Sequence, residues 1–239
     1  MRLLVEQLAA RAWPAAEAVA ADGWLLRHTP ALTRRRSNSA LPVGDAPHAR
    51  VVEEFYARRG RRALVQIAPA EVRGGLDREL ARMGWTSDGP TDVLIADAAT
   101  VLARTRPGAV AIAPAVDASW VAMWAACEGR PDADAHADEV LARIEPATGY
   151  AVAGEGEGVG LAVCEAGWAG LFCVATAPAA RRRGVAGAVV HALTRWATER
   201  AARRIYLQVE TANAAAHALY ASTGFKRSHG YHYRLAPAS

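Results

Sequence analysis

Residues 174–187, which read VATAPAARRRGVAG, constrain this chain more than any other stretch, because a buried strand at 171–175 runs through a glycine-bearing turn into a helix. The helix shows in Val185, Val189, Leu193 and Trp196, which recur on one apolar face. The first turn of a helix carries amide N–H groups with no acceptor inside it, and the positive end of the macrodipole. Set after a strand and beside three arginines, such a turn is a cradle for a pyrophosphate. Gly184 and Gly187 let the backbone approach the anion closely. Arg181, Arg182 and Arg183 alone would read as a solvated charge run, and the Gly-x-Ala-Gly that follows favours the cradle.

Strands and helices alternate around this segment. Before it, the pattern predicts a strand at 110–113, helices within 118–127 and 138–144, and strands at 150–153 and 158–164. After it, Ile205, Leu207 and Val209 alternate as a half-buried strand, Asn213 opens a helix ending at Gly224, and Tyr231, Tyr233 and Leu235 mark a last strand. The first part has a similar order: an amphipathic helix ending at Gly23, strands at 24–28, 32–41, 63–67 and 92–96, and helices at 49–59 and 76–83 with Gly84 as a left-handed cap. With Pro107 and Gly108 as the break, two α/β units are expected, 1–105 and 106–239.

Composition narrows the class of function. Of 239 residues, 52% are hydrophobic and 22% charged, which suits a packed globular chain. The net charge is +4, yet the arginines are interspersed with acids rather than gathered in one stripe, which argues against a nucleic-acid partner. Lys226 is the sole lysine, a bias that fits a GC-rich bacterial genome. Cys127, Cys164 and Cys173 form no paired spacing, so a reducing cytoplasm is expected. Glu6, Arg11 and Glu17 interrupt any signal-like start, and no stretch suits a membrane span.

Residues 181–186 resemble the R/Q-x-x-G-x-G/A loop of the GCN5-related N-acetyltransferases, matched by Arg181, Gly184 and Ala186. The resemblance covers 107–239 and continues through the strand around Leu207, Asn213, Leu219 with Tyr220, and Gly224 with Phe225. It implies a mixed, mostly antiparallel sheet flanked by helices, and acetyl-coenzyme A as cosubstrate without a metal. It implies that Val174, Ala175 and Thr176 offer backbone groups to the pantetheine and the acetyl carbonyl. The pyrophosphate would fall to Arg181, Arg182, Arg183, Gly184, Val185, Ala186 and Gly187. Asn213 would contact pantetheine, and Tyr220 would be the general acid beside the thioester sulfur.

Asn213 is also a good helix N-cap, a role compatible with ligand contact. Tyr220 alone would read as an amphipathic core tyrosine, and its place between Asn213 and Gly224 favours the acid. The attacking amine must lose a proton, so a base is needed. Family members acting on protein N-termini commonly carry a glutamate where this chain has Gln208. Glu210 lies on the same strand side as Gln208 and is the candidate base, directly or through water. An acid that merely complements the following helix is an equal reading.

Other patterns are set aside. Gly154, Gly156, Gly158 and Gly160 alternate without a following helix and read as a hairpin turn. Asp132, Asp134, His136 and Asp138 look metal-like, but Ala137 and Arg143 stand where a calcium loop needs glycine and glutamate, so an acidic helix start or substrate lid is expected. His217, His229 and His232 read as surface histidines. Laying Gly84 and Trp85 on Gly224 and Phe225 also lays 63–67 on the strand around Leu207, and Gly44 on Gly184. Leu80 then stands opposite Tyr220 and Arg73 opposite Asn213. At the cradle's counterpart Pro42 has no N–H and Asp45 would repel phosphate. The first part is thus expected to be a degenerate, ligand-free relative of the second. Two smaller sheets side by side would leave a groove for a substrate, with residues 34–38 as candidate lining and a solvated turn as their default reading.

The expected activity is direct acetyl transfer from acetyl-coenzyme A to a primary amine of a small molecule or peptide. The alternative is a catalytically silent acyl-coenzyme A sensor, which Gln208 favours and Tyr220 disfavours. A homodimer is left open.

Overall fold

The computed structural model describes residues 1–44, 48–128 and 133–238. Asp45 and Asp132, and the side chains of Asp134 and Asp138, lie outside what it describes. The chain forms two compact units, Met1–Val93 with Ser228–Ser239, and Leu94–Arg227.

The first unit comprises α1 (Arg2–Ala12), β1 (Glu17–Ala21), β2 (Trp24–His28), β3 (Ala40–Pro42), α2 (Ala49–Ala57), β4 (Leu64–Ile67), α3 (Gly74–Arg82) and most of β5 (Thr86–Asp97). The helix expected to reach Gly23 stops at Ala12, ahead of Pro14, which cannot continue it. Asp22 and Gly23, at φ 45° and 80°, then turn β1 back antiparallel onto β2. The strand expected over 32–41 is instead a loop with a 3₁₀ turn, and β3 keeps only its end. Asn38 is the cause: it accepts from the Thr29 amide at 3.0 Å and donates to the Leu32 and Arg34 carbonyls at 2.8 and 3.2 Å. Trp24, Leu26, Val65 and Ile67 bury one sheet face with Val52, Phe55 and Tyr56 of α2 and Leu80 of α3.

The second unit takes the end of β5 and continues through α4 (Ala98–Arg104), β6 (Val110–Ala113), α5 (Ala118–Glu128), α6 (Ala133–Glu139), β7 (Ala147–Ala153), β8 (Gly158–Glu165), β9 (Trp168–Thr176), α7 (Val185–Thr198), β10 (Arg204–Glu210) and α8 (Ala214–Ser222). The helix predicted at 138–144 is α6 followed by a 3₁₀ turn, Leu141–Arg143. The strands order β10-β9-β8-β7-β6, antiparallel except for the parallel pair β9 and β10. Ala151, Ala162, Leu171, Ile205, Leu207 and Val209 pack beneath Val189 and Leu193 of α7 and Tyr220 of α8. On the alternate residues, Tyr150 meets Trp120 of α5 edge-on at 5.4 Å, and Trp120 Nε1 donates to the Ala151 carbonyl at 3.0 Å.

The glycines read as one turn divide into two roles. Gly154 and Gly156 have positive φ in the hairpin, whereas Gly158 and Gly160 lie within β8. A Cβ there would fall 2.7 Å from Val185 Cγ1 and 2.9 Å from Val189 Cγ1, so their bareness lets α7 lie close to the strand.

Each unit has the same order: three antiparallel strands, a helix, a parallel strand and a second helix. In the first this is β1-β2-β3-α2-β4-α3, in the second β7-β8-β9-α7-β10-α8. The strand that follows is exchanged. The last strand of the chain, β11 (Lys226–Leu235), pairs antiparallel with β4 from His232↔Ile67 to Leu235↔Leu64 and so completes the first unit. Leu94–Asp97 of β5, which follows the first repeat, belongs to the second unit. The division therefore falls inside β5 rather than near residue 105. Among the described residues no helix is long and apolar enough to cross a membrane.

Candidate active site

The strand, turn and helix around the arginine run fold as β9, a 3₁₀ turn (Pro178–Ala180), a further turn over residues 181–184 and α7. Arg182 and Gly184 both take left-handed φ, 65° and 83°, and so compress the turn into the helix. Gly184 is the N-cap of α7, and no side chain caps it. The ladder of α7 starts with the Ala188 amide on the Gly184 carbonyl, at 3.0 Å. The amides of Val185, Ala186 and Gly187 precede that bond and point out of the helix start. A Cβ placed on Gly184 or Gly187 would meet nothing within 4 Å. An open, uncapped helix start with exposed Arg181 and Arg182 fits a diphosphate. Arg183 pairs with Glu157 at 2.9 Å, with both side chains well exposed, an interaction weak enough to be exchanged. Arg181 Nε reaches the Thr176 carbonyl at 3.4 Å.

β9 carries a bulge the sequence did not announce. Leu161 pairs with Phe172 and Val159 with Ala175, so Cys173 and Val174 together oppose Gly160, with Cys173 at φ 52°. The parallel pairing of β9 with β10 covers Trp168–Gly170 against Arg204–Tyr206, while β9 runs on to Thr176 and β10 to Glu210. A Cβ on Gly170 would lie 2.5 Å from the Tyr206 hydroxyl, so that glycine makes room for the ring at the end of the paired segment. Val174 turns into the α7 side, its Cγ2 3.3 Å from where a Gly160 Cβ would stand. The Thr176 hydroxyl is buried without a partner at the strand end.

Asn213 caps α8, accepting from the Ala216 amide at 3.0 Å through Oδ1, which leaves its amide nitrogen outward on an exposed residue. Tyr220 is 7% exposed and packs edge-on against Phe225 at 5.5 Å. Burial pushes its phenol above the ordinary tyrosine range, so it stays protonated at neutral pH. Glu210 ends β10 exposed, and its backbone carbonyl takes the Asn213 amide at 2.9 Å. Gln208, two residues before it, is half-buried. Among the described residues no cluster of His, Cys, Asp or Glu could hold a metal.

The corresponding loop of the first unit is closed by its own chain. The Val43 and Gly44 amides both donate to the Gly23 carbonyl at 2.8 Å, and a Cβ on Gly44 would touch Gly23 Cα at 2.7 Å. Arg73, opposite Asn213 in the repeat, donates to the carbonyls of Gly44 at 2.6 Å and Pro42 at 3.1 Å. Leu80, opposite Tyr220, is core. The histidines also depart from expectation. His229 is fully buried, its Nε2 2.7 Å from Glu6, and His232 lies 2.7 Å from Asp77. Both are on β11, which buries His229 and half-buries His232 when it joins the first unit.

Comparison with known proteins agrees with this architecture. A curated relative, the uncharacterized N-acetyltransferase YobR of Bacillus subtilis (strain 168), is 27% identical over 241 residues, covering 97% of each chain. Among solved structures, a GCN5-related N-acetyltransferase from Kribbella flavida superposes with TM-score 0.73 at 16% identity, over 100% of this chain and 96% of the other. A tandem GNAT protein from the clavulanic acid biosynthesis pathway gives TM-score 0.59 at 13% identity, over 84% and 76%. The model of the family described as "Probable histone acetyltransferase Rv0428c C-terminal" matches residues 2–234, so the chain belongs to that family and, with it, to the GCN5-related N-acetyltransferases.

Proposed function

We propose that the second unit transfers an acetyl group from acetyl-coenzyme A to a primary amine of a small molecule or peptide, by direct attack in a ternary complex. The observation that carries this reading is the uncapped start of α7, with open space at Gly184 and Gly187, placed directly after the bulged end of β9. The amides of Val185 to Gly187 with Arg181 and Arg182 would hold the diphosphate. Backbone groups of Val174 to Thr176 and the amide of Asn213 would orient the pantetheine arm. When bound, acetyl-coenzyme A supplies an activated thioester. A carbonyl held by fixed backbone donors is polarised where its negative charge grows during attack.

Tyr220, kept neutral by burial, would deliver a proton to the departing thiolate. A silent sensor would have no use for that phenol. Glu210, exposed at the end of β10, would take the proton from the ammonium directly or through water. No metal is needed in this scheme, and a cytoplasmic setting suits it.

One coenzyme per chain is expected, because the first unit's counterpart loop is filled by Gly23 and Arg73. Two measurements on the full chain test the proposal: titration calorimetry with coenzyme A, and thiol release from acetyl-coenzyme A across a panel of amines and peptides. A stoichiometry of one and amine-dependent thiol release are expected. Binding without release for any amine would leave only a sensor, and two sites per chain would overturn the role given to Arg73.

A further inference from the structure

Glu157 stands against both ends of the segment that carries the arginines of the second unit. It closes the hairpin between β7 and β8, and its backbone is held there. The Glu157 amide donates to the Ala153 carbonyl, and the Glu157 carbonyl accepts from the Ala177 amide, each at 2.9 Å. Ala177 leads out of β9 into the 3₁₀ turn. The next hairpin residue, Gly158, pairs with Thr176, and a Cβ on it would fall 2.7 Å from Val185 Cγ1 at the start of α7. The Glu157 side chain bends back over its own turn. A Cβ on Gly154, at φ 54°, would meet Glu157 Oε2 at 2.8 Å, while Oε1 takes Arg183 Nη1 at 2.9 Å.

Residues 166–198 contain no acid, so the loop and α7 bring no negative side chain of their own. Glu157 brings one from the neighbouring hairpin and sets it on Arg183, the residue before the N-cap Gly184. Glu155, two residues earlier in the same hairpin, is exposed and makes no ion pair among the described residues. A diphosphate at the start of α7 competes with Glu157 for the same guanidinium. An exposed ion pair contributes little, so Arg183 can change partner. The carboxylate cannot follow it away, because the hairpin backbone is bound to β9 and keeps Glu157 within a side chain's reach of the turn. There it repels the anion that displaced it.

We propose that Glu157 is a built-in competitor for the coenzyme: it holds Arg183 until a diphosphate takes its place, weakens coenzyme binding and hastens release of the coenzyme A product. On the acetyl-transfer reading, on which this rests, spent coenzyme must leave before the next turnover, and release limits the rate of many enzymes. Arg183 is then a third cation for the diphosphate, beside Arg181 and Arg182, and Glu157 tunes how much it contributes.

Titration calorimetry of the full chain with coenzyme A, at low and high salt, tests this. Glu157→Gln should bind about three- to tenfold tighter than wild type at low salt, with the gain shrinking as salt rises. Displacement of coenzyme A should slow by a similar factor, since affinity changes of this kind fall mostly on dissociation. Glu155→Gln makes the same change in net charge without touching the pair, and should stay within about twofold of wild type. In an Arg183→Gln background the gain from Glu157→Gln should fall to about twofold or less, because no guanidinium is left to release. Should Glu157→Gln fail to fold, Glu157→Ala keeps the backbone bonds and carries the same expectation. Unchanged or weaker binding in the Glu157 variant would overturn the assignment, as would an equal gain in Glu155→Gln or an undiminished gain without Arg183. A wild-type chain that does not bind coenzyme A would sink this role and the acetyl-transfer reading together; wild-type binding with no gain in the variant sinks this role alone.

Discussion

Gly184→Asp separates the cradle's field from its shape. Gly184 sits at φ 83°, and a Cβ added there meets nothing within 4 Å, so the cost of folding is the left-handed backbone alone. Aspartate tolerates that region better than most residues, which sets the cost near 1 kcal/mol and the loss in Tm at about 2–4 °C for a chain of this size. The carboxylate would stand about 4–5 Å from a diphosphate oxygen. At an effective dielectric constant of about 20, that repulsion is roughly 3–4 kcal/mol. Solvent and salt at this exposed turn reduce it to about 2 kcal/mol, or about 30-fold in affinity. Calorimetry with coenzyme A at low and high salt should show that loss, and show it shrinking as salt rises. Gly184→Asn, with the same backbone tolerance and no charge, should bind within a few-fold of wild type. Wild-type affinity in the aspartate variant would mean that the start of α7 does not hold the diphosphate, and an asparagine variant as weak as the aspartate would show that shape, not field, decides.

Three further outcomes are expected. Tyr220→Phe should lower kcat by about 100-fold or more with KM for acetyl-coenzyme A within a few-fold, since only a proton donor is lost. An acid whose pKa is raised by burial works below that pKa and fails above it, so the wild-type rate should show no Tyr220 limb up to about pH 10; unchanged turnover in the variant would make Tyr220 a core residue. Glu210→Gln should cut kcat/KM for the amine by about 10–100-fold and abolish the acid limb of the profile, and a wild-type profile would leave Glu210 as a strand-end acid. Gly170→Ala should cost about 1–3 kcal/mol, about 2–10 °C in Tm, because its Cβ would lie 2.5 Å from the Tyr206 ring and hydroxyl, and an unchanged Tm would mean Tyr206 moves freely.

What the chain declares by itself is local. The uncapped helix start proposed as the cradle is legible in the order of residues alone, since a left-handed glycine, a helix start free of acids and one apolar helix face each depend on neighbours a few residues apart. The cap at Asn213 and the repeated order of elements belong to the same kind of signal. The bulge at Cys173 carries no comparable mark, because nothing in a cysteine announces a positive φ that the pairing of β8 with β9 imposes. The pattern after Gly84 matches the pattern after Gly224, so local rules predict that each strand returns to its own repeat. Tertiary structure placed β11 on β4 instead. That choice buried His229 against Glu6 and set Tyr231 and Tyr233 beside Arg27 and Arg36. Arg73 likewise gained its role only through folding, when α3 brought its guanidinium to the Gly44 carbonyl. A strand's period selects which face it buries, but which edge it joins is decided by long-range pairing and the packing that pairing permits.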